Sequence, residues 1–176
     1  MLSKMTRAAW NQNLLLSLEQ FGEEGQIAAS YLRARKTYIG FWKVQKHVGA
    51  FWTPLRTIHL NTEYYSLATN PADPRTLTLL IHEVKHLQQG LVTALSVYGE
   101  LEAWQLQFRL YHKKTNAKMH PAIEKLLSLP FGWDRDVLKQ AQGLMQDFAG
   151  KGYRSDLLPL YPIGKEIRYR LFGKIP

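Results

Sequence analysis

Residues 80–90 read LIHEVKHLQQG, and the interpretation of the whole chain depends on this stretch. His82 and His86 are four residues apart and bracket Glu83 inside an apolar run. Residues four apart on an α-helix differ by about 40° in direction and about 6 Å in height, so both imidazoles would leave the helix on one side. The stretch therefore predicts either a metal-binding helix or two histidines that share a helix face by chance.

The residues around this stretch predict a helix from about Arg75 to Gln89. Asp73 and Pro74 match the start signal of an N-cap followed by proline at the first helical position, and Gly90 is a typical stop. Apolar residues at helical spacing predict the side that packs against the core. They are Leu80, Val84, Leu87 and Leu91.

A metal site needs a third ligand, and residues 96–111, SVYGELEAWQLQFRLY, contain two glutamates. With Glu100 set at 0° and 100° added per residue, the apolar face of this helix is centred near about 60°. Glu100 borders that face, whereas Glu102 falls at about 200°, beside Arg109 on the polar side. A carboxylate beside a packed face costs desolvation free energy unless a cation pairs with it. Glu100 is therefore the predicted third ligand, and Glu102 is assigned to a solvated face.

The composition restricts the kind of site that the chain can hold. It has 176 residues and no cysteine, which excludes disulfides, thiol nucleophiles and cysteine-ligated structural zinc. Histidine and carboxylate would have to bind any metal. The length favours one domain over residues 1–176. No signal-peptide pattern and no run of about 18 apolar residues is found, so we expect a cytoplasmic protein without a membrane span.

The net charge of +9 raises the question of a polyanionic partner. The basic residues form separate groups, and no zinc-finger or basic-zipper pattern accompanies them. We therefore favour a solvated basic surface, with nucleic acid or an acidic substrate as the alternative partner. The groups are Arg33, Arg35 and Lys36, then Lys113, Lys114 and Lys118, then Lys165, Arg168 and Arg170.

The other periodicities predict an α+β fold that is mostly helical. A small antiparallel sheet is expected before the motif helix, from the aromatic and β-branched residues of 36–45 and 57–61. The tail from residue 153 onward is expected to be ordered because it is too apolar to stay unfolded. Further helices are expected at about 8–21, 26–35, 93–114, 121–129 and 134–149.

The sequence HEVKH at 82–86, followed by Glu100-Leu-Glu-Ala103, resembles the gluzincin metallopeptidases, which combine HExxH with a glutamate on a later helix. The short interval after His86 and the size of the chain are most similar to the minimal single-domain gluzincins of bacteria and archaea. The resemblance covers about residues 57–111. It implies a zincin-like fold and hydrolysis of a peptide or protein substrate. Zn²⁺ would be held by His82, His86 and Glu100, with Glu83 as general base and acid.

The resemblance also implies roles for residues outside the ligand set. A strand at the edge of the cleft would pair with the substrate, a role that Thr57–Asn61 would take by position. The family often has an aspartate where this chain has Trp104, to orient a metal-bound histidine. A backbone carbonyl or another carboxylate would substitute here, with Asp73, Asp134 and Asp136 as candidates. Five candidate donors for the oxyanion stay open: His59, Tyr98, His112, Tyr153 and Tyr161.

Two other functions stay open. One is a regulatory metalloprotease that acts on a DNA-bound protein, since the bacterial peptidases that cleave repressors also carry HExxH and a later Glu-rich segment. The basic surface would matter for that function. The other is a non-enzymatic helical interaction domain in which a metal is structural or absent.

Overall fold

The computed structural model of the chain describes residues 5–150 and 152–173. Helices dominate these residues, and a small sheet precedes the third helix, so the predicted α+β class is confirmed. No helix in this part of the chain is both long enough and apolar enough to cross a membrane. The elements are α1 (Arg7–Gln20), α2 (Glu23–Ala34), β1 (Tyr38–Trp42), β2 (Ala50–Thr53), β3 (Thr57–Asn61), α3 (Pro74–Gln89), α4 (Leu91–Ala94), α5 (Val97–Thr115), α6 (Pro121–Ser128), α7 (Arg135–Ala149), a 3₁₀ turn (Ser155–Leu157) and α8 (Ile163–Phe172).

The chain folds into two compact units, and the boundary falls between Lys85 and His86, inside helix α3. The core of the first unit begins with α1, which buries Trp10, Leu14 and Leu18 completely at helical spacing. The indole nitrogen of Trp10 donates to the carbonyl of Thr69 at 2.8 Å, which ties α1 to the loop before α3. The single domain expected from the length stays a prediction.

The sheet is mixed, with strand order β1-β3-β2. Strand β3 pairs in parallel with β1 and antiparallel with β2, so the prediction of an antiparallel sheet is wrong for the β1–β3 pair. The loop of residues 43–49 carries the chain to the far edge, and the turn after β2 returns β3 through the centre. Ile58 and Leu60 of this central strand are fully buried.

The central position of β3 also overturns the substrate-binding role implied by the resemblance. Both sides of Thr57–Asn61 are already hydrogen-bonded to neighbouring strands. Addition of a peptide strand requires an edge with unpaired backbone groups. This segment therefore cannot receive a substrate strand.

Helix α3 begins and ends where the sequence predicts. The carboxylate of Asp73 accepts from the amide of Arg75 at 3.3 Å and caps the first turn, and Pro74 is the first helical residue. The predicted apolar stripe is correct at Leu80 and Val84, which are buried. It is wrong at Leu91, which is 48% exposed because the chain leaves α3 at Gln89 and starts α4.

The helix predicted at 93–114 is broken at Ser96, which has extended backbone angles and caps α5. The hydroxyl of Ser96 accepts from the amide of Gly99 at 3.1 Å and donates to the carbonyl of Thr93 at 2.6 Å. The two helices approach closely here, since a Cβ on Gly99 would lie 2.2 Å from the Thr93 oxygen. This break puts Glu100 in the first turn of α5.

The second unit is built on α5, α6, α7 and the tail. Their apolar faces form one core, and the tail adds Leu160 and Tyr161 to it. The amides of Val97 and Tyr98 donate to the carbonyls of Pro159 and Leu160, at 2.9 and 3.1 Å. The tail therefore satisfies two amides that the first turn of α5 leaves without a partner inside the helix. The expectation of an ordered tail is confirmed for the described residues, which also form α8.

Two glycine substitutions test the packing of the first unit. A Cβ on Gly25 would lie 2.2 Å from the Leu18 carbonyl oxygen and 2.8 Å from Phe21 Cβ, so Gly25→Ala should lower the free energy of unfolding by about 1–3 kcal/mol. Gly143 lies in α7 with no heavy atom within 4 Å of such a Cβ, so Gly143→Ala should raise it by about 0.5–1 kcal/mol. Urea unfolding measures both, and equal stabilities would contradict the close packing of α1 on α2.

Candidate metal centre

Helix α3 supplies two neighbouring imidazoles and a carboxylate. His82 and His86 lie one turn apart and are 6% and 2% exposed, and Glu83 is 4% exposed. Each of these residues is polar, and burying polar groups is costly unless they are bonded or bound. Three buried polar side chains within five residues of a helix are therefore typical of a functional site.

The structure brings Glu100 to the two histidines. One potential ligand atom from each of His82, His86 and Glu100 lies within 4.8 Å of the others, so the group could hold a metal ion. The Glu100 side chain is 14% exposed, which agrees with its predicted place beside the packed face of α5. Its position in the first turn of α5 also places the carboxylate near the helix N-terminus, whose partial positive charge attracts an anion.

Gln89 fixes the ring of His86. The amide nitrogen of Gln89 donates to the carbonyl of Gly99 and to a carboxylate oxygen of Glu102, both at 2.9 Å. Both partners are acceptors, so the amide orientation is determined by the network. The amide oxygen of Gln89 then lies 3.1 Å from Nδ1 of His86. Since that oxygen only accepts, Nδ1 of His86 carries the proton.

This tautomer makes the approach of His86 to Glu100 informative. In the neutral ring, a proton on Nδ1 leaves a lone pair on Nε2, and Nε2 lies 3.4 Å from Oε1 of Glu100. Two electron-rich atoms at this distance repel each other unless a cation, either a metal ion or a proton, lies between them. Two ligands at about 2.0–2.2 Å from one tetrahedral ion are about 3.4 Å apart. The spacing of these two atoms therefore fits a shared metal ion.

Trp104 and Tyr153 orient the carboxylate of Glu100. Its Oε2 accepts from the hydroxyl of Tyr153 at 2.7 Å and from the indole nitrogen of Trp104 at 3.0 Å. The indole nitrogen also lies 3.1 Å from the Tyr153 hydroxyl, so the carboxylate, the indole and the hydroxyl are all within hydrogen-bonding distance of one another. With Oε2 held in this way, Oε1 is the oxygen directed at His86.

The aspartates considered as substitutes for the family's orienting residue lie elsewhere. Asp73 caps α3 and Asp134 caps α7, while Asp136 is exposed and lies 3.5 Å from Lys139. The group that orients His86 is the side-chain amide of Gln89, whereas the sequence predicts a carboxylate or a backbone carbonyl for this role. The signal was present, since side chains three apart on a helix are neighbours.

Glu102 also differs from its prediction as a solvated residue. It is half-buried and accepts from Gln89, so it belongs to the support of His86. Of the five candidate oxyanion donors, Tyr153 lies at the centre through its bond to Glu100. Tyr98 stacks on Trp133 at 3.8 Å, and Tyr161 donates to the Trp133 carbonyl. His59 lies in β3 and His112 in the last turn of α5.

Comparison of the chain with protein-family models, curated proteins and solved structures finds no match. The assignment of chemistry to this centre therefore rests on its own residues and geometry.

The role of Gln89 can be tested against its neighbour. Gln89→Leu keeps the side-chain size but removes the acceptor for Nδ1 of His86, so affinity for Zn²⁺ should fall about 10–100-fold. Gln88 is exposed on the same turn, and Gln88→Leu should leave the affinity unchanged. Competition with a chromophoric chelator measures both variants. The same affinity for both would exclude Gln89 as an orienting residue.

Proposed function

We propose that the chain is a zinc-dependent hydrolase of peptide bonds, of the gluzincin type. The observation that carries the proposal is the group of His82, His86 and Glu100, with the buried Glu83 beside it on α3. Two imidazoles and one carboxylate are a donor set found in catalytic zinc sites. Structural zinc sites usually have four protein ligands, whereas three leave a position for water or substrate.

Zinc bound in such a site lowers the pKa of a water molecule and polarises the carbonyl of a substrate. Glu83 follows His82 by one residue and therefore points about 100° away around the helix, beside the metal ligands and not among them. From there its carboxylate can accept a proton from the attacking water and pass it to the leaving amine. Its burial suits this task, because a proton acceptor is more effective where bulk water is excluded.

The remaining side chains of the centre position the ligands. Gln89 holds His86 in the tautomer that presents Nε2, and Trp104 with Tyr153 turns Oε1 of Glu100 toward the same point. Such preorganised support is what a catalytic site needs, because ligand atoms must be held within fractions of an ångström. The expected substrate is a peptide or a protein.

The first test is metal content. Protein purified without a histidine tag should contain close to one zinc per chain, and removal of zinc by a chelator should lower the melting temperature. If free Zn²⁺ is about 100 times its dissociation constant, the stabilisation is about 2.7 kcal/mol, or about 5–10 °C for a chain of this size. Absence of both zinc and a thermal shift would favour the non-enzymatic alternative.

The second test separates the roles of the carboxylates. Glu83→Gln should retain zinc and lower hydrolysis about 10²–10⁴-fold, because the proton acceptor is lost. Glu100→Ala should lose zinc, whereas Glu102→Ala should weaken zinc binding only through Gln89. Peptide-library cleavage by the zinc-loaded protein gives the activity, with zinc content measured on each variant. Loss of zinc in Glu102→Ala with retention in Glu100→Ala would reverse the ligand assignment.

A further inference from the structure

One face of the sheet carries a continuous group of rings, of which two are exposed and two are half-buried. Alternation along a strand puts Tyr38, Gly40 and Trp42 of β1 on the same side, and register places Gly40 and Phe51 on either side of His59. Trp42 is 61% exposed and Tyr38 43%. We call Tyr38, Trp42, Phe51 and His59 the aromatic sheet face.

The four rings of the aromatic sheet face contact one another through His59. Phe51 stacks on His59 with a centroid distance of 5.0 Å and an angle of 21° between the planes. Tyr38 and Trp42 lie 5.7 and 6.0 Å from the same imidazole. The four rings therefore form one platform across three strands, unlike apolar residues that are scattered singly over a surface.

Gly40 allows Tyr38 to lie across the sheet. A Cβ at this position would come within 2.6 Å of a ring carbon of Tyr38, so the ring occupies the space that a side chain would fill. The guanidinium of Arg7 lies over the same ring at 5.1 Å and donates to its hydroxyl at 2.6 Å. Tyr38 is therefore held in place on the platform.

The charged residues next to the sheet are mostly basic, and Glu63, which is exposed two residues after β3, is the acidic exception. Residues 25–62 contain no aspartate or glutamate, and they include the whole sheet. Lys36 precedes β1 and Arg56 lies in the turn before β3, so both are at one end of the sheet, while Lys43 and Lys46 follow β1 at the other end. All four are exposed, and none of them forms an ion pair within the described residues. The rings thus lie between two pairs of cations, with Glu63 at the same end as Lys43 and Lys46.

We propose that the aromatic sheet face binds single-stranded nucleic acid. Unstacked bases stack on exposed aromatic side chains of a sheet, and lysine and arginine at its margins contact the phosphates. A duplex does not fit this chemistry, because its bases are already stacked and their faces are covered. A neutral carbohydrate would use the rings but gains nothing from the cations, and a purely charged polymer would use the cations but not the rings.

The interaction does not depend on the proposed zinc hydrolysis, since every residue of the face lies in the sheet or beside it. Fluorescence anisotropy of labelled 12-mers of thymidylate and of uridylate, measured in chelator at about 50 mM salt, tests it with the full chain. Trp42→Ala should weaken binding at least about fivefold, and Trp42→Phe should restore most of the affinity. Phe172 is 71% exposed on α8, and Phe172→Ala is the matched control that should bind like the parent chain.

A second variant tests the cations. Lys43→Ala combined with Lys46→Ala should reduce the slope of log affinity against log salt by about 1.4, at about 0.7 for each phosphate contact in a single strand. Lys118→Ala combined with Lys125→Ala removes the same charge from exposed positions outside the sheet and should leave the slope unchanged.

Several outcomes would overturn the proposal. These are the absence of binding to either 12-mer, equal affinity of Trp42→Ala and the parent chain, or equal affinity for a duplex of the same length. Heparin bound as tightly as the 12-mers, with no effect of Trp42→Ala, would identify a charged surface that makes no use of the rings. Tyr38→Leu provides an independent loss of stacking, and the thermal midpoint of each variant confirms that it is folded.

Discussion

The centre depends on one close approach, that of Nε2 of His86 to Oε1 of Glu100 at 3.4 Å. In the neutral ring with its proton on Nδ1, both atoms are electron-rich, and burial strengthens their repulsion. The chain nonetheless holds them in place from both sides. Gln89 fixes the imidazole, while Trp104 and Tyr153 fix the carboxylate. A cation between two acceptors at this distance would relieve their repulsion, and either a metal ion or a proton on Nε2 of His86 could supply it.

The placement of Glu100 depends on how α5 begins. Ser96 stops α4 and caps α5, and Gly99 permits the close contact of the two helices. The tail carbonyls of Pro159 and Leu160 accept the first amides of α5, so the end of the chain secures the helix turn that carries the ligand. Tyr153 is contributed by the same part of the chain. Residues far apart in sequence therefore combine to position one carboxylate.

The parts of this fold that the sequence predicts are those determined by residues close to one another in the sequence. The limits of α3 follow from Asp73, Pro74 and Gly90, and helical angles separate Glu100 from Glu102 because both calculations need only neighbouring residues. The pairing of β1 with β3 was not predictable, since parallel pairing depends on the path of the intervening loop. The break at Ser96 was not predicted, because a single serine among apolar residues is compatible with a continuous helix. The carbonyls of Pro159 and Leu160, which accept from Val97 and Tyr98, lie far away in the sequence.

Position 104 is tryptophan where the resemblance to gluzincins implies an aspartate. An aspartate there would bond to a histidine and increase its basicity directly. Trp104 donates a hydrogen bond to Glu100 instead. His86 is hydrogen-bonded to Gln89, a neutral amide that donates in turn to the carboxylate of Glu102. The carboxylate of Glu102 therefore reaches His86 only through Gln89, whereas an orienting aspartate would bond to the histidine directly. An imidazole polarised only through Gln89 gives less electron density to a metal than one bonded directly to a carboxylate. The two hydrogen bonds to Oε2 of Glu100 also draw charge away from Oε1. If the centre binds zinc as proposed, both effects would leave more positive charge on the ion, which would favour activation of water over tight retention of the metal.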